Sequence, residues 1–540
     1  MAAAEGAKGA GAALRVAVIA DGALVPRFGL EALEALGPIE VTLFSCTNTR
    51  LPKRAFRHAF YYALNLVSVR NPWTKLMPLP PRVPVAETVP FEAGLDGAWQ
   101  TLPADVIARL AGGGFDFVLK LGMGLLRVPE RSVLPVPILS YHHGDPDKYR
   151  GRPAGFWEML AGEPLMGQMV QVIGNRLDGG DVVAFAETKI FPWSYRATLV
   201  ESYRHSPLII AHAVRNVLAG TPLPKPCSGR NHRLPSNGEV IGFLLRMAVQ
   251  FVRRLLYGAL MEKRWHVSTA AFADEARAGL VEGRGFPPAE AWATLQTPPR
   301  YVFYADPFFS EEPEGLLVEA LKRGTGIGEI VLVSGDEHSA VSDCPGHMSY
   351  PATFDHGGRR LIVPEMAAWS APKIFALEGG AMKEVGALRL ETPANLLDPT
   401  LVDHEGRTWL FANDRALGSN TLFLWSADDL SGVFRPHPAS PIRISPRGAR
   451  MAGNILRLDG RLIRFGQDFS FGYGDGIHAY EIVRLTPEAY EERPIGSLRF
   501  ADRRGPHTLN FSAGRVLFDW YFDSVSPLAG LRRLSARRQD

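Results

Sequence analysis

The second half of this chain repeats itself, and this repeat constrains the possible folds more than any other feature. Five segments after residue 300 each contain an apolar run, a glycine and a second strand-like run. The shared glycines recur every 43 to 54 residues, at Gly315, Gly358, Gly406, Gly460 and Gly514. Such a period, with two strands joined by a glycine-containing turn in each unit, predicts an all-β five-bladed β-propeller over residues 265–530. A β-sandwich with evenly spaced turns is the alternative.

Length and composition exclude several classes of protein. A chain of 540 residues needs more than one domain, and 46% hydrophobic with 21% charged residues rules out a disordered composition. The net charge of +3 gives no global attraction for nucleic acid, so we expect no such partner. Cys46, Cys227 and Cys344 have no metal-ligand spacing, and the first dozen residues contain no secretory apolar core. We therefore expect no structural metal and a cytoplasmic protein.

The first half alternates between apolar runs and helical segments. Runs at 15–20, 39–44, 115–121 and 137–140 read as buried strands, and a helical segment lies between the first two. This order predicts an α/β domain with parallel strands over residues 14–221. Ligands of such sheets bind beyond the carboxyl ends of strands, where the polar stretch 142–151 follows. There is neither a G-x-G-x-x-G after the first run nor a P-loop, which disfavours nicotinamide cofactors and P-loop phosphoryl transfer.

Three short motifs follow in order: Ser140-Tyr141-His142, Arg150-Gly151, and 177–181 with the sequence LDGGD. Their order and spacing resemble those of the formyltransferase family, which includes methionyl-tRNA formyltransferase and sugar-nucleotide N-formyltransferases. The resemblance implies a Rossmann-like domain that uses 10-formyltetrahydrofolate. It implies a catalytic role for Ser140, His142 and Asp178, and substrate contacts for His143 and Arg150. It also implies a folate site formed by Gly122, Met123, Leu125, Leu126 and Asp181.

Formyl transfer to an amine explains why such residues would be grouped. The reaction passes through a tetrahedral oxyanion, so the site needs a hydrogen-bond donor for that oxygen and a group that accepts a proton. His142 suits both tasks, and a carboxylate such as Asp178 would orient its ring. The family has asparagine where this chain has Ser140, whose hydroxyl reaches less far. Either Ser140 is a weaker donor, or His143 shares the work, or the chemistry is altered.

The repeats resemble the five-bladed propellers of arabinanase and xylosidase type glycosidases, and more closely the N-terminal domain of plant glucosamine inositolphosphorylceramide transferases. Asp306 and Asp398 match two of the three glycosidase carboxyl groups, but Arg450 stands near the place of the third. Hydrolysis normally needs a carboxylic acid there, which only Glu365 or Asp414 could supply instead. We expect instead a polar funnel that holds a sugar, formed by Asp306, Glu365, Asp398, Arg450 and His507 and aided by Trp369, Trp409 and Trp520.

A linker and an amphipathic helix, residues 222–264, separate the two predicted domains. Residues 222–237 are rich in Pro, Ser, Asn and basic side chains, and an apolar stripe follows at 241–260. Arg246, Arg253 and Arg254 exclude a transmembrane span. The stripe either packs on a neighbouring domain, which we favour, or lies on a membrane surface. Residues 1–13 read as a flexible tail and 531–540 as a basic tail.

These observations predict an N-formyltransferase that moves a formyl group from 10-formyltetrahydrofolate to an amino sugar, a sugar nucleotide or a related amine. The propeller would recognise the carbohydrate. Two alternatives remain at this point. In the first, the propeller itself is a carbohydrate-active enzyme, a glycosidase or a glycosyl transferase. In the second, the protein is a non-catalytic sugar-binding component of polysaccharide assembly. The sequence leaves the acceptor and the oligomeric state open.

Overall fold

The computed structural model describes residues 13–48, 56–310, 314–343, 346–366, 369 and 371–536. The chain divides into two compact units between Arg254 and Leu255, and each is described by itself. Cys344, most of the predicted N-terminal tail and the last residues of the predicted basic tail lie outside the described residues.

The first unit contains fourteen described strands and six described helices. The strands are β1 (Leu14–Asp21), β2 (Leu24–Pro26), β3 (Ile39–Cys46), β4 (Leu76–Pro78), β5 (Val85–Phe91), β6 (Gly94–Asp96), β7 (Trp99–Thr101), β8 (Phe117–Lys120), β9 (Leu125–Leu126), β10 (Ile138–His142), β11 (Tyr149–Gly151), β12 (Leu165–Val172), β13 (Asp181–Lys189) and β14 (Arg230–His232). The helices are α1 (Arg27–Ala35), α2 (Ala59–Val67), α3 (Ala104–Gly112), α4 (Phe156–Ala161), α5 (Tyr195–Ala219) and α6 (Asn237–Leu260), the last of which contains the division.

A seven-stranded sheet with the order β13-β12-β10-β8-β1-β3-β5 forms the centre of this unit. The five strands from β10 to β5 pair in parallel, whereas β12 is antiparallel to both of its neighbours. The four apolar runs predicted as strands correspond to β1, β3, β8 and β10. Strands covered on both faces are continuously apolar, which explains the burial of nearly all of β1.

The register of the sheet decides which residues meet at its carboxyl edge. Lys120, the last residue of β8, pairs with Ile19 of β1 on one side and with Ser140 of β10 on the other. His142 lies two residues after Ser140 on the same strand, so its side chain leaves the same face of the sheet. The edge of the sheet therefore brings together polar groups from separate parts of the chain.

The second unit is rich in strands and, besides the end of α6, contains two described α-helices, α7 (Arg277–Val281) and α8 (Ala529–Ala536). Its first strands are β15 (Met261–Ala271), β16 (Ala293–Thr294), β17 (Tyr301–Ser310), β18 (Gly315–Lys322), β19 (Gly328–Ser334), β20 (Glu337–Ala340), β21 (Ser349–His356), β22 (Arg359–Glu365), β23 (Lys373–Glu378), β24 (Ala381–Ala387), β25 (Arg389–Leu390) and β26 (Leu396–His404). The others are β27 (Arg407–Asp414), β28 (Thr421–Ala427), β29 (Val433–Pro436), β30 (Arg443–Ile444), β31 (Arg447–Met451), β32 (Leu456–Leu458), β33 (Arg461–Asp468), β34 (Ile477–Leu485), β35 (Tyr490–Leu498), β36 (Leu509–Ser512) and β37 (Arg515–Val525).

These strands form five sheets in the described part of the unit. Two have the simple orders β17-β18-β19-β20 and β21-β22-β23-β24, and two larger ones contain β25 to β30 and β31 to β35. The remaining sheet, β16-β15-β37-β36, combines strands from the beginning and the end of the unit. Four of the five predicted turn glycines, Gly358, Gly406, Gly460 and Gly514, have φ between 67° and 76°, which glycine adopts without strain.

Helix α6 occupies the stretch predicted as an amphipathic helix, and its first turns pack in the first unit. Val240 and Phe243 are buried in the first unit, where the ring of Phe243 stacks on that of Phe156 at 4.4 Å between centroids. Met247 packs against the same cluster, while Leu244 and Phe251 are exposed. Among the residues that the structure describes, no helix is both long enough and apolar enough to cross a membrane.

Candidate functional site

His142 and Asp178 lie next to each other at the carboxyl edge of the first sheet. The Nδ1 atom of His142 is 3.4 Å from Oδ2 of Asp178, and both side chains are largely buried. On the other side of the ring, Nε2 lies 3.0 Å from the carbonyl oxygen of Tyr149. A carbonyl and a carboxylate both accept hydrogen bonds, so each ring nitrogen of His142 faces an acceptor. The predicted pair is thus assembled, with the histidine poised as a donor.

The loop that carries Asp178 is held by the Arg150-Gly151 motif. The backbone N–H of Gly151 donates to Oδ2 of Asp178 at 2.7 Å, and Nε2 of Gln171 lies 3.5 Å from Oδ1. Arg150 donates to the carbonyl oxygens of Leu177 and Gly229, at 3.3 and 2.7 Å. Arg150, predicted to bind substrate, is therefore engaged in positioning this loop.

The backbone conformation at position 151 requires glycine. Its φ is +88°, and a Cβ atom would lie 2.1 Å from the carbonyl oxygen of His232. Any other residue would combine a strained conformation with a clash against the paired strand β14. Glycine at this position thus lets its backbone N–H lie beside Asp178. A side chain here would displace that donor.

His143 lies among aromatic rings, away from the Asp178 carboxylate. Its ring centroid is 4.3 Å from that of Tyr203 and 5.4 Å from that of Phe28, and its Nε2 is 2.9 Å from Oγ of Ser206. Burial, together with the neighbouring His142, lowers the pKa of His143 to about 3, so its ring is neutral near pH 7. The alternation of side chains along an extended chain separates the two histidines. The prediction of a substrate contact for His143 is not supported by this placement.

Lys120 belongs to the site although the sequence reasoning did not select it. Its Nζ donates to the carbonyl oxygen of Met123 at 3.1 Å. Burial lowers the pKa of Lys120 to about 8, while the charges of Asp21 and Asp178 act in the opposite direction. The available signal was a single lysine near the end of the buried run 115–121, because charged side chains are rarely buried without a partner.

A cavity of about 690 Å³ lies beside the Asp178 loop. Its walls come from residues 128–138, 172–183 and 216–222, among them Val128, Arg131, Ile138, Ile173, Asn175 and Asp181. The side chain of Asn175 joins two of these walls, because it exchanges hydrogen bonds with the backbone N–H and carbonyl of Val128. The size and the mixed lining are typical of a small-molecule pocket.

Of the predicted folate contacts, Asp181 alone is among the residues that line this cavity. Met123 and Leu126 are buried in the hydrophobic core of the unit, and Leu125 lies on the short strand β9 beside Trp99. Gly122 packs so closely on β1 that a Cβ atom would lie 2.3 Å from the backbone nitrogen of Asp21. The resemblance to a family segment suggested a folate site here; in this structure Met123 and Leu126 contribute to the core, and the cavity walls come from later segments.

A buried arginine connects two carboxyl groups in the second unit. Arg450 contacts Asp398 through Nε at 2.5 Å and Nη2 at 2.9 Å, and Nη2 lies 3.1 Å from Oε2 of Glu365. Burial raises the pKa of Glu365 to about 8 even though Arg450 opposes the shift. Gln467 also donates to Asp398, at 2.8 Å. Three predicted funnel residues are thus brought together, but they bind one another.

A second cluster contains the other two predicted funnel residues. Nδ1 of His507 lies 3.1 Å from Oδ1 of Asp306 and 3.2 Å from Oδ2 of Asp519, and all three are buried. Burial disfavours the charged ring, but Tyr473 and the two carboxylates outweigh it and raise the pKa of His507 well above its usual range. Asp519, which the sequence reasoning missed, also accepts hydrogen bonds from three backbone N–H groups.

The donor atoms of Asp306, His507 and Asp519 lie close enough together to hold a metal ion. However, Oδ1 of Asp306 already accepts from Oγ1 of Thr508 at 2.8 Å. Because three of the four carboxylate oxygens already accept hydrogen bonds and the histidine faces both carboxylates, the cluster suits an ion triad better than a metal centre.

The three predicted tryptophans and Asp414 differ in their surroundings. Trp409 is 1% exposed and its Nε1 donates to the carbonyl oxygen of His404, so it belongs to the core. Trp369 lies beside Lys373 and Trp520 beside Arg503, each in a cation–π contact. Asp414 ends β27 and is half-buried. Trp409 therefore serves packing, and a cation lies over one face of each of the other two rings.

Several solved formyltransferases are similar in structure to the N-terminal part of the chain. One is glycinamide ribonucleotide transformylase 1 from Symbiobacterium toebii, with 18% identity, 42% of this chain and 95% of that chain covered, and a TM-score of 0.27. Another is the N-formyltransferase from Helicobacter canadensis in complex with folinic acid and dTDP-3-aminofucose, with 11% identity, 59% and 99% covered, and a TM-score of 0.27.

The repeat region matches a family model in sequence. Residues 333–511 match the model described as the N-terminal part of glucosamine inositolphosphorylceramide transferase 1. The proteins of that name from Arabidopsis thaliana and Oryza sativa subsp. japonica are 29% and 30% identical over 224 and 214 residues. These matches cover 38% and 36% of this chain but only 29% and 28% of the relatives, so the chain spans less than a third of their length. The resemblance of the repeats to this N-terminal domain, predicted from the sequence, is confirmed.

Proposed function

We propose that the protein is an N-formyltransferase that moves a formyl group from 10-formyltetrahydrofolate to an amino sugar or a related amine. The observation that carries this proposal is the His142–Asp178 contact of 3.4 Å, on a loop whose next residues, Gly179 to Asp181, line a cavity of about 690 Å³. The motif that suggested the family predicted this contact between residues 36 positions apart in the chain. Both residues belong to the carboxyl edge of a mostly parallel sheet, where such folds bind ligands.

The chemistry follows from what the paired side chains can do. The amine nitrogen attacks the formyl carbon, a C–N bond forms, and the carbonyl oxygen becomes an oxyanion. When the carbonyl re-forms, the bond to the folate nitrogen breaks, and a proton passes from the incoming nitrogen to the leaving one. His142 would move this proton through Nε2 once substrate replaces its contact with Tyr149, and Asp178 would stabilise the charged ring.

The cavity fits the folate in size and character. Pockets of 300–1,000 Å³ with mainly apolar walls and a few polar groups are typical of sites for ligands of this size. Here Ile138 and Ile173 provide apolar surface, while Asn175, Arg131 and Asp181 are polar. We therefore assign the folate to this cavity, with Asp181 at its edge as predicted and the predicted residues 122–126 as supporting core.

For the second unit we propose a five-bladed propeller that recognises carbohydrate. Five sheets in sequence, one of them combining strands from both ends of the unit, support this ring arrangement. Contacts between consecutive sheets support it too, such as those of Arg450 on β31 with Asp398 on β26. The family match supports a role connected with amino sugars, since the matched proteins are named as glucosamine transferases.

The family match also keeps a second function open, in which the propeller itself acts on carbohydrate. A neutral Glu365 with a pKa near 8 could serve as an acid, but Arg450 occupies the same oxygen. Incubation of the protein with amino-sugar glycosides would test this function. Release or transfer of a sugar that Glu365→Gln abolishes would favour it over formyl transfer.

Calorimetric titration with 5-formyltetrahydrofolate, a stable analogue, is the first test of the main proposal. Saturable binding is expected, and its absence contradicts the proposal. The second test is formylation of amino-sugar nucleotides with 10-formyltetrahydrofolate, followed by mass spectrometry. His142→Ala should abolish product, whereas the matched variant His143→Phe should retain it, because His143 lies among aromatic rings. Ser140→Asn should keep or raise the rate if Ser140 is merely a weak donor.

A further inference from the structure

Lys120 has more hydrogen-bonding capacity than its surroundings use. An ammonium group has three donors, and the carbonyl oxygen of Met123 is the one acceptor seen for it within the described residues. The two carboxylates that act electrostatically on it have other donors: Oδ1 of Asp21 accepts from the N–H of Met123 at 2.6 Å, and Asp178 accepts from Gly151. A largely buried cation without a direct ion pair is costly to maintain, which indicates a functional use.

The sheet register places this cation beside the two catalytic candidates. Lys120 and Ser140 are paired residues of neighbouring parallel strands, so their side chains leave the same face of the sheet next to each other. The side chain of His142, two residues further along β10, leaves the same face. Asp178, which contacts His142, also acts electrostatically on Lys120. The ammonium, the hydroxyl and the imidazole therefore converge at one edge.

Few other groups are available there to stabilise an oxyanion. The hydroxyl of Ser140 has a single contact, a long one of 3.5 Å to the carbonyl oxygen of Tyr141. Both nitrogens of His142 already face acceptors, and the gap beside its Nε2 is only about 10 Å³. A positively charged donor that needs no rearrangement stabilises developing negative charge more than a distant hydroxyl does.

We propose that Lys120 is a catalytic residue of formyl transfer and donates a hydrogen bond from Nζ to the formyl oxygen as negative charge develops on it. The inference rests on the proposed function. Lys120 keeps its proton throughout: the carbonyl electron pair moves onto oxygen as the new C–N bond forms, and it returns when the bond to the folate nitrogen breaks. Ser140 then serves as the second donor to the same oxygen.

The test compares Lys120→Met, Lys120→Arg and the exposed control Lys75→Met in the full chain. Loss of one oxyanion donor lowers kcat about 10²–10³-fold in other enzymes, and we expect a loss of this order for Lys120→Met. The affinity for 5-formyltetrahydrofolate, measured by calorimetry, should change less than about threefold. Lys120→Arg retains the charge and should recover most of kcat, and Lys75→Met should match the wild type.

The outcomes separate this inference from the proposed function. Wild-type turnover with an unchanged kcat in Lys120→Met overturns the inference and leaves the function standing. Absence of turnover in the wild type overturns both. If thermal melting shows that Lys120→Met does not fold, Lys120→Gln replaces it, since its amide can still bond the carbonyl of Met123. Equal kcat values for the Gln and Arg variants would then refute a role for the charge.

Discussion

Replacing Asp178 by asparagine removes the negative charge beside His142 while keeping nearly the same shape. At 3.4 Å and an effective dielectric constant of about 20, the attraction between a protonated imidazole and this carboxylate is about 5 kcal/mol. The two side chains are 9% and 16% exposed, so solvent screens this attraction little. The asparagine oxygen retains part of the interaction as a dipole and still accepts from Gly151. We therefore expect kcat to fall by about 10²–10³-fold, within the range for proton-transfer groups.

The assay is single-turnover formylation of an amino-sugar nucleotide, with folate affinity and the melting temperature measured on the same preparations. Affinity and melting temperature should change little, because the loss concerns charge stabilisation. Asp105→Asn, which removes an exposed carboxylate of the same unit, is the matched control and should match the wild type. A kcat within threefold of the wild type for Asp178→Asn, in a folded protein, would refute the assigned role of the carboxylate.

Two further predictions concern stability. Gly151→Ala should destabilise the first unit by about 3–4 kcal/mol, because its left-handed backbone and the 2.1 Å approach to the carbonyl of His232 both resist a Cβ atom. Gly220→Ala, with φ +65° and no atom within 4 Å, should cost only about 1–2 kcal/mol in the same urea titration, and equal losses would contradict the clash. Glu492→Gln should destabilise the second unit by about 3–5 kcal/mol, since it leaves the fully buried Arg464 without its carboxylate; the exposed Glu491→Gln should be nearly neutral. Burial alone would raise the pKa of Glu492, but Arg464 and Arg443 lower it to about 2. Its stabilisation is therefore present above its unfolded pKa of about 4.3 and is lost as the pH falls towards 2, so the difference between wild type and Glu492→Gln should shrink over that window.

The sequence predicted four of the seven strands of the first sheet and the motif residues, because both depend on local patterns. Continuous apolar runs identify strands buried on two faces, and polar residues after β10 mark the edge where ligands bind. The contact between His142 and Asp178 came from the order of motifs in a known family. The 3.4 Å between Nδ1 of His142 and Oδ2 of Asp178 agrees with the predicted pairing of the two side chains.

The sequence did not separate pocket from core in the segment 122–126. The resemblance to a family segment implied a folate site there, but apolar side chains line ligand cavities and hydrophobic cores alike. Met123 and Leu126 are buried in the core, whereas the cavity is lined by Ile138, Ile173 and neighbouring residues. Lys120 was missed for a different reason: a single lysine within an apolar run forms no recognisable motif.

The sequence alone determined that the second half is rich in strands and that its strand pairs recur with a period. This was possible because turn glycines and strand-forming runs are local features of a few residues each. Which of the charged residues in that half meet was decided by tertiary structure. Arg450, Asp398 and Glu365 lie far apart in the chain, yet burial forces their charges to neutralise one another. The same holds for Lys120 and Ser140, which strand register pairs although they lie 20 residues apart in the chain. The sequence shows which side chains carry a charge, but the packing of distant segments decides which opposite charge each of them meets.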